Sequence, residues 1–492
     1  MSLEIEIPVA ELKQILPGMS KVIQKSTLPV LGCLNATVKG DSVKLQATNL
    51  DDTVTVNMGK CGKGSGSILV PYEELNKVVK GCVATDTIRL SSSTTETTIN
   101  YPIGNNRVDR KLLFTAPTEW PETTTEINEP SIPVNNKLKE ALLHALDCSS
   151  DDTSRYILQS AFLDMRDAKA NYVVGTDGRI IFSANSFHFG LKDSLIIPNR
   201  KFLHWKGFME IDNWALSSLA PIKAVPGAKE KVVERPGFVQ FKSDRWTFIT
   251  RQIEGDYPYW KQVVPTEYKT TVKLSTEAIE FIVGAVQRMP CSQSSNLPVY
   301  LVIEAGTLVL AAKANTDDPW TKLQVSGAIV DGVPVTVAIN RNFLLKAMVL
   351  GLDEIRLVDT LSPVLFRKDG RRLLVSPLRL EENPTQSSAE QTTETVKKAV
   401  SPIQPNESPT QNQERTQIMS EETKPTKPEK SPSAYEQLQS MVEEIRSALK
   451  GIVTDLNNLS KTVSQAYREK RATEKEIETI RASLNEIRRL KI

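Results

Sequence analysis

Residues 1–380 repeat one pattern three times, and this constrains the fold more than any other property of the chain. Each repeat starts with a short apolar segment leading into an amphipathic helix: IPVAELKQILPGMSKVI at 7–23, IPVNNKLKEALLHAL at 132–146 and KLSTEAIEFIVGAVQRM at 273–289. A second helix follows in each: VPYEELNKVVKG at 70–81, IPNRKFLHWKG at 197–207 and INRNFLLKAMVLG at 339–351. Apolar residues fall at the i, i+3, i+4 spacing of a buried helix face, as in Leu75, Val78 and Val79, or Phe343, Leu344, Ala347 and Met348. Around the helices, SVKLQATNLDDTVTV, FVQFKSDRWTFITRQI and IRLVDTLSPVLFRKD alternate in polarity and read as antiparallel strands joined by tight turns. An aromatic-Pro pair recurs near the ends of the first two units, at Trp120-Pro121 and Tyr257-Pro258. The expectation is an α+β body of three copies of one domain, each with two helices backed by antiparallel sheet, bounded at 1–126, 127–266 and 267–380.

The pattern stops after Leu380. Residues 381–434 hold seven prolines, no aromatic residue and almost no large aliphatics. Such a stretch cannot bury enough apolar area to offset its chain entropy, and it reads as a disordered linker. From Tyr435 apolar residues recur at alternating spacings of three and four: Leu438, Val442, Ile445, Leu449, Ile452, Leu456, Leu459, Val463 and Ala466, then Ile477, Ile480, Leu484 and Ile487. That 3.5-residue repeat predicts a coiled-coil helix over 435–492, one rod or a hairpin folded at Arg468–Glu476.

Composition narrows the function classes. The 61 Lys and Arg nearly balance 59 Asp and Glu, a net charge of +2. A protein that adheres to nucleic acid everywhere is not expected at that balance. The distribution is uneven, however: the six helical segments carry thirteen basic and seven acidic residues. If they share a face, that face is positive and the remainder slightly acidic. No apolar run reaches the ~18 residues of a membrane span. MSLEIEIPVAEL lacks the basic start and apolar core of a signal peptide. Five scattered cysteines, never as CxxC, predict neither disulfides nor a zinc site and fit a cytoplasmic setting.

Signals of catalysis are poor. Three histidines, His144, His188 and His204, show no metal-ligand spacing, and no cofactor is expected. GKCGKGSGS at 59–67 misses the phosphate-loop pattern and reads as a hairpin tip. The acidic pairs Asp51–Asp52, Asp151–Asp152 and Asp317–Asp318 could hold Mg²⁺ for phosphoryl transfer, but their contexts suit solvated turns better. One constellation suggests a binding site. RYILQSAFL (155–163) and VVGTDGRIIF (173–182) read as strands with a turn exposing Thr176, Asp177 and Gly178; PYWKQVVP (258–265) and RRLLVSPLRL (371–380) are similarly apolar.

Taken in order, STLPVLG (26–32), SRYILQSAFL, GTDGRIIF, EGDYPYWKQVVP and LLVSPLRL resemble the bacterial DNA polymerase III beta subunit, the sliding clamp family, over residues 1–380. The resemblance implies three tandem DNA-clamp domains, a head-to-tail homodimer ring around double-stranded DNA, and a non-catalytic processivity role. DNA contacts would then be Lys13, Lys21, Lys25, Lys77, Lys80, Lys137, Arg200, Lys201, Arg288, Arg341 and Lys346. They would be directed at phosphates, since a sliding ring reads no base.

The resemblance also implies a groove for the clamp-binding peptides of the DNA polymerase III catalytic subunit and the clamp loader. Its lining would be Leu158, Thr176, Gly178, Arg179, Ile180, Ile181, Pro258, Gln262, Val263, Pro363, Leu374, Val375, Ser376, Pro377, Leu378 and Arg379. Ile180 and Gln262 stand where the family often has Arg, and Ser376 where it often has Met, which implies an altered peptide preference. MPCSQSSN at 289–296 shows no clear match, leaving the ring interface unassigned. The alternative function is a divergent clamp-fold scaffold recruiting a coiled-coil partner through 435–492.

Overall fold

Among the described residues, five of the six α-helices begin at a small polar side chain or a proline. In the computed structural model, Asn135 accepts from the Leu138 amide (2.9 Å), Ser275 from Ala278 (3.2 Å) and Asn340 from Asn342 (2.8 Å). Each such cap contributes about 1 kcal/mol. The two helices of the first repeat instead follow Pro8 and Pro71, prolines that no helix N–H would need. The structure describes residues 3–379 except 25–27, 124–125, 168, 192, 223–234, 292–295, 305 and 316, together with Pro384. Apart from Pro384, the linker expected at 381–434 and the coiled coil expected at 435–492 lie outside the described residues, as do Lys25 and Leu380.

The first repeat runs β1 (Glu4–Pro8), α1 (Val9–Met19), β2 (Cys33–Thr48), β3 (Asp52–Pro71), α2 (Tyr72–Gly81), β4 (Thr87–Ser92), β5 (Glu96–Ile103) and β6 (Asn106–Leu113). The second runs β7 (Ile132–Val134), α3 (Asn136–Asp147), β8 (Ser160–Asp164), β9 (Asn171–Thr176), β10 (Ile180–Phe187), β11 (Leu195–Pro198), α4 (Lys206–Glu210), β12 (Trp214–Leu219), β13 (Phe238–Lys242) and β14 (Trp246–Arg251). The third runs β15 (Thr270–Leu274), α5 (Thr276–Val286), β16 (Pro298–Glu304), β17 (Thr307–Ala312), β18 (Thr321–Gln324), β19 (Ala328–Gly332), β20 (Val335–Asn340), α6 (Arg341–Val349), β21 (Glu354–Leu357), β22 (Val364–Lys368) and β23 (Arg371–Val375).

Sheets run across the repeats instead of stopping at them. One sheet has the order β6-β5-β4-β1-β3-β14-β13-β12-β7, with β2 also on β3; a second is β11-β8-β9-β10-β23-β22-β21-β15-β19; a third is β18-β17-β16-β20. The first repeat therefore joins the second through β3 and β14, with Thr53 opposite Ile249 and Val54 opposite Phe248. The second joins the third through β10 and β23, with Ile180 opposite Val375 and Phe182 opposite Leu373. Side chains alternate across these strands, and the inward set forms one apolar core that includes Ile7, Leu12, Val54, Phe182, Trp214, Phe248, Ile282 and Leu373.

Several local expectations are corrected. The second helix of the middle repeat is not 197–207: residues 201–204 form turns, with Leu203 and Trp205 donating to carbonyls three residues back, and only Lys206–Glu210 is helical. Asn199 causes this, because its amide donates to Leu146 O and Ser149 Oγ (both 3.0 Å) and anchors the chain before a helix can start. RYIL at 155–158 belongs to a 3₁₀ turn, Thr153–Leu158, capped by Asp152, not to a strand. WKQV at 260–263 is likewise a 3₁₀ turn. GKCGKGSGS is not a hairpin tip but the middle of β3, paired along β2 with register shifts. Asp52 is no solvated turn residue, being 5% exposed and ion-paired. Thr176, expected to be exposed, is also buried.

Candidate functional site

The helices form a continuous line through named contacts. Lys13 of α1 donates to Cys82 O just beyond α2 (2.7 Å). At the other end of α1, a Cβ on Gly18 would lie 2.8 Å from the Trp205 ring, so only glycine lets that helix approach α4. From α3, Lys139 donates to Met209 O (3.0 Å) and Ile211 O (2.6 Å), tying it to the end of α4. Burial holds this ammonium's pKa below its usual value, and the two carbonyls replace lost water. Lys346 of α6 bonds Asp147 O at the end of α3. Arg341 of α6 then donates to Val286 O (3.2 Å), Met289 O (3.0 Å) and Pro290 O (2.6 Å) at the end of α5. The order is α2, α1, α4, α3, α6, α5.

The basic residues expected to meet DNA divide along this line. Lys13, Lys77, Lys80, Lys137, Lys201 and Arg288 are exposed, and Lys21, Arg200 and Lys346 are half-buried. Lys13 and Lys80 flank one cleft between α1 and α2, of about 470 Å³. Lys21, Arg200 and Lys201 meet in another of about 590 Å³, with Tyr156, Asn199 and His204. Arg200 also pairs with buried Asp52 (3.0 Å), and Lys77 with Glu74 (2.8 Å). Arg341 is corrected: it is 7% exposed, and its guanidinium is committed to three carbonyls, so it is a helix-terminus clamp and not a surface contact. Lys206, exposed at the start of α4, was not singled out from sequence, though WKG offered the signal.

The expected groove residues gather around the β9–β10 turn. Thr176 Oγ1 donates to Ile180 O (2.6 Å) and accepts from the Gly178 amide (3.0 Å). Asp177 accepts from the Arg179 and Ile180 amides (2.7 and 2.8 Å). Gly178 has φ of +89°, which explains TDGR at this turn. Across the ladder Ile180 and Ile181 face Val375 and Leu374, and Ser376 donates to Arg179 O (2.9 Å). Pro363 precedes Val364, which also pairs with Val375.

The 260–263 turn joins through Ile181, which packs on Phe162, Val174, Ile196, Tyr257 and Trp260. Trp260 donates to Asp164 (2.8 Å), whose carboxyl burial would raise; the bonds from Arg166 and Trp260 outweigh burial and hold it below the usual range. Leu158 ends the neighbouring 3₁₀ turn, half-buried. Pro258, Gln262, Val263, Gly178, Arg179, Ser376 and Arg379 are exposed, and Pro377 is half-buried. Leu378 leads away: its amide donates to Ala338 O (2.7 Å) and its side chain packs with Tyr300, Val302 and Ala311. Exposed Tyr156, Tyr259 and Leu361 are apolar surface missing from the expected lining, although each lies within a segment quoted from the sequence.

Among the described residues, no cluster of His, Cys, Asp and Glu is placed to hold a metal ion, and no helix is long and apolar enough to cross a membrane. No family model matches the chain. It is 32% identical over 112 residues to the beta sliding clamp of Streptomyces coelicolor, covering 23% of this chain and 28% of that one. To the beta sliding clamp of Synechococcus elongatus it is 22% identical over 325 residues, covering 64% of this chain and 82% of that one. Among solved structures it is similar to the DNA polymerase III subunit beta of Pseudomonas aeruginosa, with TM-score 0.64, 17% identity and coverage of 76% of this chain and 100% of that one. The DNA polymerase sliding clamp of Bacillus subtilis gives 0.65, 16%, 77% and 100%. The described body of this chain therefore has the sliding-clamp fold, and its sequence is similar to those of beta sliding clamps.

Proposed function

We propose that this chain is a DNA sliding clamp, a non-catalytic processivity factor. Two copies would close head to tail around duplex DNA, with the domains bounded near 126, 266 and 380. The observation that carries the reading is the continuous helix line, with Lys13, Lys77, Lys80, Lys137 and Lys201 exposed along it. Flexible lysines directed at phosphates suit a sliding contact, because phosphates recur at every step whatever the base. Grip then comes from ring closure and not from any one bond.

The surface around Ile181, Val263, Leu374 and Leu361 would receive a short apolar-aromatic peptide from the polymerase or clamp loader. Gln262, uncharged and exposed, would favour peptides that need no cationic partner. The decisive measurement is retention of the full chain, loaded by its clamp loader, on nicked circular DNA before and after linearisation. Retention on the circle and rapid loss from the linear form is the expected result. Equal retention on both would overturn the proposal.

A further inference from the structure

The two ends of the helix line present opposite chemistry. On α1, α2 and the 200–206 segment, five lysines are exposed beside Glu73: Lys77 pairs with Glu74 (2.8 Å), Lys206 with Glu210 (3.4 Å) and Lys13 reaches Cys82 O, while Lys80 and Lys201 stand free of acidic partners among the described residues. At the α6–α5 end the basic residues are fewer and less exposed. Arg341 is buried on three carbonyls, and Lys346 bonds the carbonyl that ends α3. What α5 exposes is Thr276, Glu277, Glu280, Phe281 and Gly284, with Arg288 just beyond its end donating back to Gly284 O (2.8 Å). Ser275 bonds the Glu277 carboxyl and holds its pKa below the usual range, so it stays ionised.

We propose that the duplex is seated on the first two repeats and that α5 of the third forms a wall that repels it. This deepens the clamp reading and rests on it. At physiological salt the screening length is about 8 Å, so a carboxylate influences only phosphates close to it. The repulsion from Glu277 and Glu280 is therefore local and displaces the duplex toward the lysine-bearing helices. In a ring of two copies, two basic arcs would alternate with two acidic, apolar ones. The duplex would then rest off-centre on either basic arc.

The test uses the full chain and a short fluorescent blunt duplex, with anisotropy followed across a salt series. Each lost phosphate contact reduces the slope of log K against log salt by about 0.9. Lys80→Gln and Lys201→Gln are each expected to lower the slope by that amount, Arg288→Gln to leave it unchanged, and Glu280→Gln to tighten binding at low salt. A slope drop for Arg288→Gln equal to that for Lys80→Gln would overturn the proposal, as would unchanged affinity for Glu280→Gln. All four sites are exposed, so folding is not at stake. If the wild-type protein fails to remain on circular DNA, the clamp reading itself is lost; retention with evenly spread slope effects removes only the seating.

Discussion

The two strand junctions that hold the repeats together are built differently. At the first, between β3 and β14, the apolar ladder is edged with buried and half-buried polar pairs. Asp52 accepts from Thr250 Oγ1 (2.7 Å) and pairs with Arg200, and Glu11 pairs with Arg245 (3.1 Å). At the second, between β10 and β23, Ile180, Phe182, Leu373 and Val375 are each 2% exposed or less. Apolar burial gives the second junction strength without directional demands. Buried charge adds little net stability once desolvation is counted, yet removing one partner is costly. The first junction is therefore the one sensitive to pH and to single charge losses.

Truncating the apolar junction should produce the largest effect. Phe182→Ala removes a fully buried ring that meets His144 edge-on and is expected to cost about 3–5 kcal/mol, read as a lower urea midpoint. Arg200→Met at the polar junction strands the Asp52 carboxylate. Because Arg200 is about one-third exposed, the expected loss is discounted to about 1–2 kcal/mol at neutral pH. If Arg200→Met proves more damaging than Phe182→Ala, the comparison fails.

Acidification sharpens it further. Burial keeps the Asp52 carboxyl above its ordinary range even with Arg200 and Thr250 bonded. Its contribution is then fully present below the ordinary carboxylate range and is lost as pH rises through the raised folded value. Removing Arg200 raises that value again, so the deficit of Arg200→Met should narrow as pH falls, while that of Phe182→Ala should not. The smallest effect is expected for Lys346→Met, which removes a cation from the end of α3 at a cost of about 0.5 kcal/mol.

Much of the fold is legible in the residues. The hairpin at 173–182 follows from apolar runs around TDGR, where Asp177 takes two amides and Gly178 takes positive φ. The capped starts at Asn135, Ser275 and Asn340 are equally local. Failures arise where distant atoms decide. IPNRKFLHWKG has helical spacing, but Asn199 spends its side chain on the end of α3 and the chain turns first. Arg341 looks like any helix-surface arginine until the carbonyls of Val286, Met289 and Pro290 are placed around it. PYWKQVVP is apolar enough for a strand, yet the Trp260–Asp164 bond draws its indole inward and the backbone coils. The groove's ladder partners were legible as segments, while the departure of Leu378 toward Ala338 was not.

The strand pairs that cross between repeats have a mechanical consequence. A body joined by linkers bends wherever it is pushed, with little elastic memory. Here β3 with β14 and β10 with β23 carry peptide hydrogen bonds straight across, each over five paired positions. A load along those strands must shear the whole set together, whereas a load that peels them breaks one bond at a time. The described body should therefore resist sliding of one repeat along the strands of the next, and yield more readily to a force that peels a strand from its partner at one end.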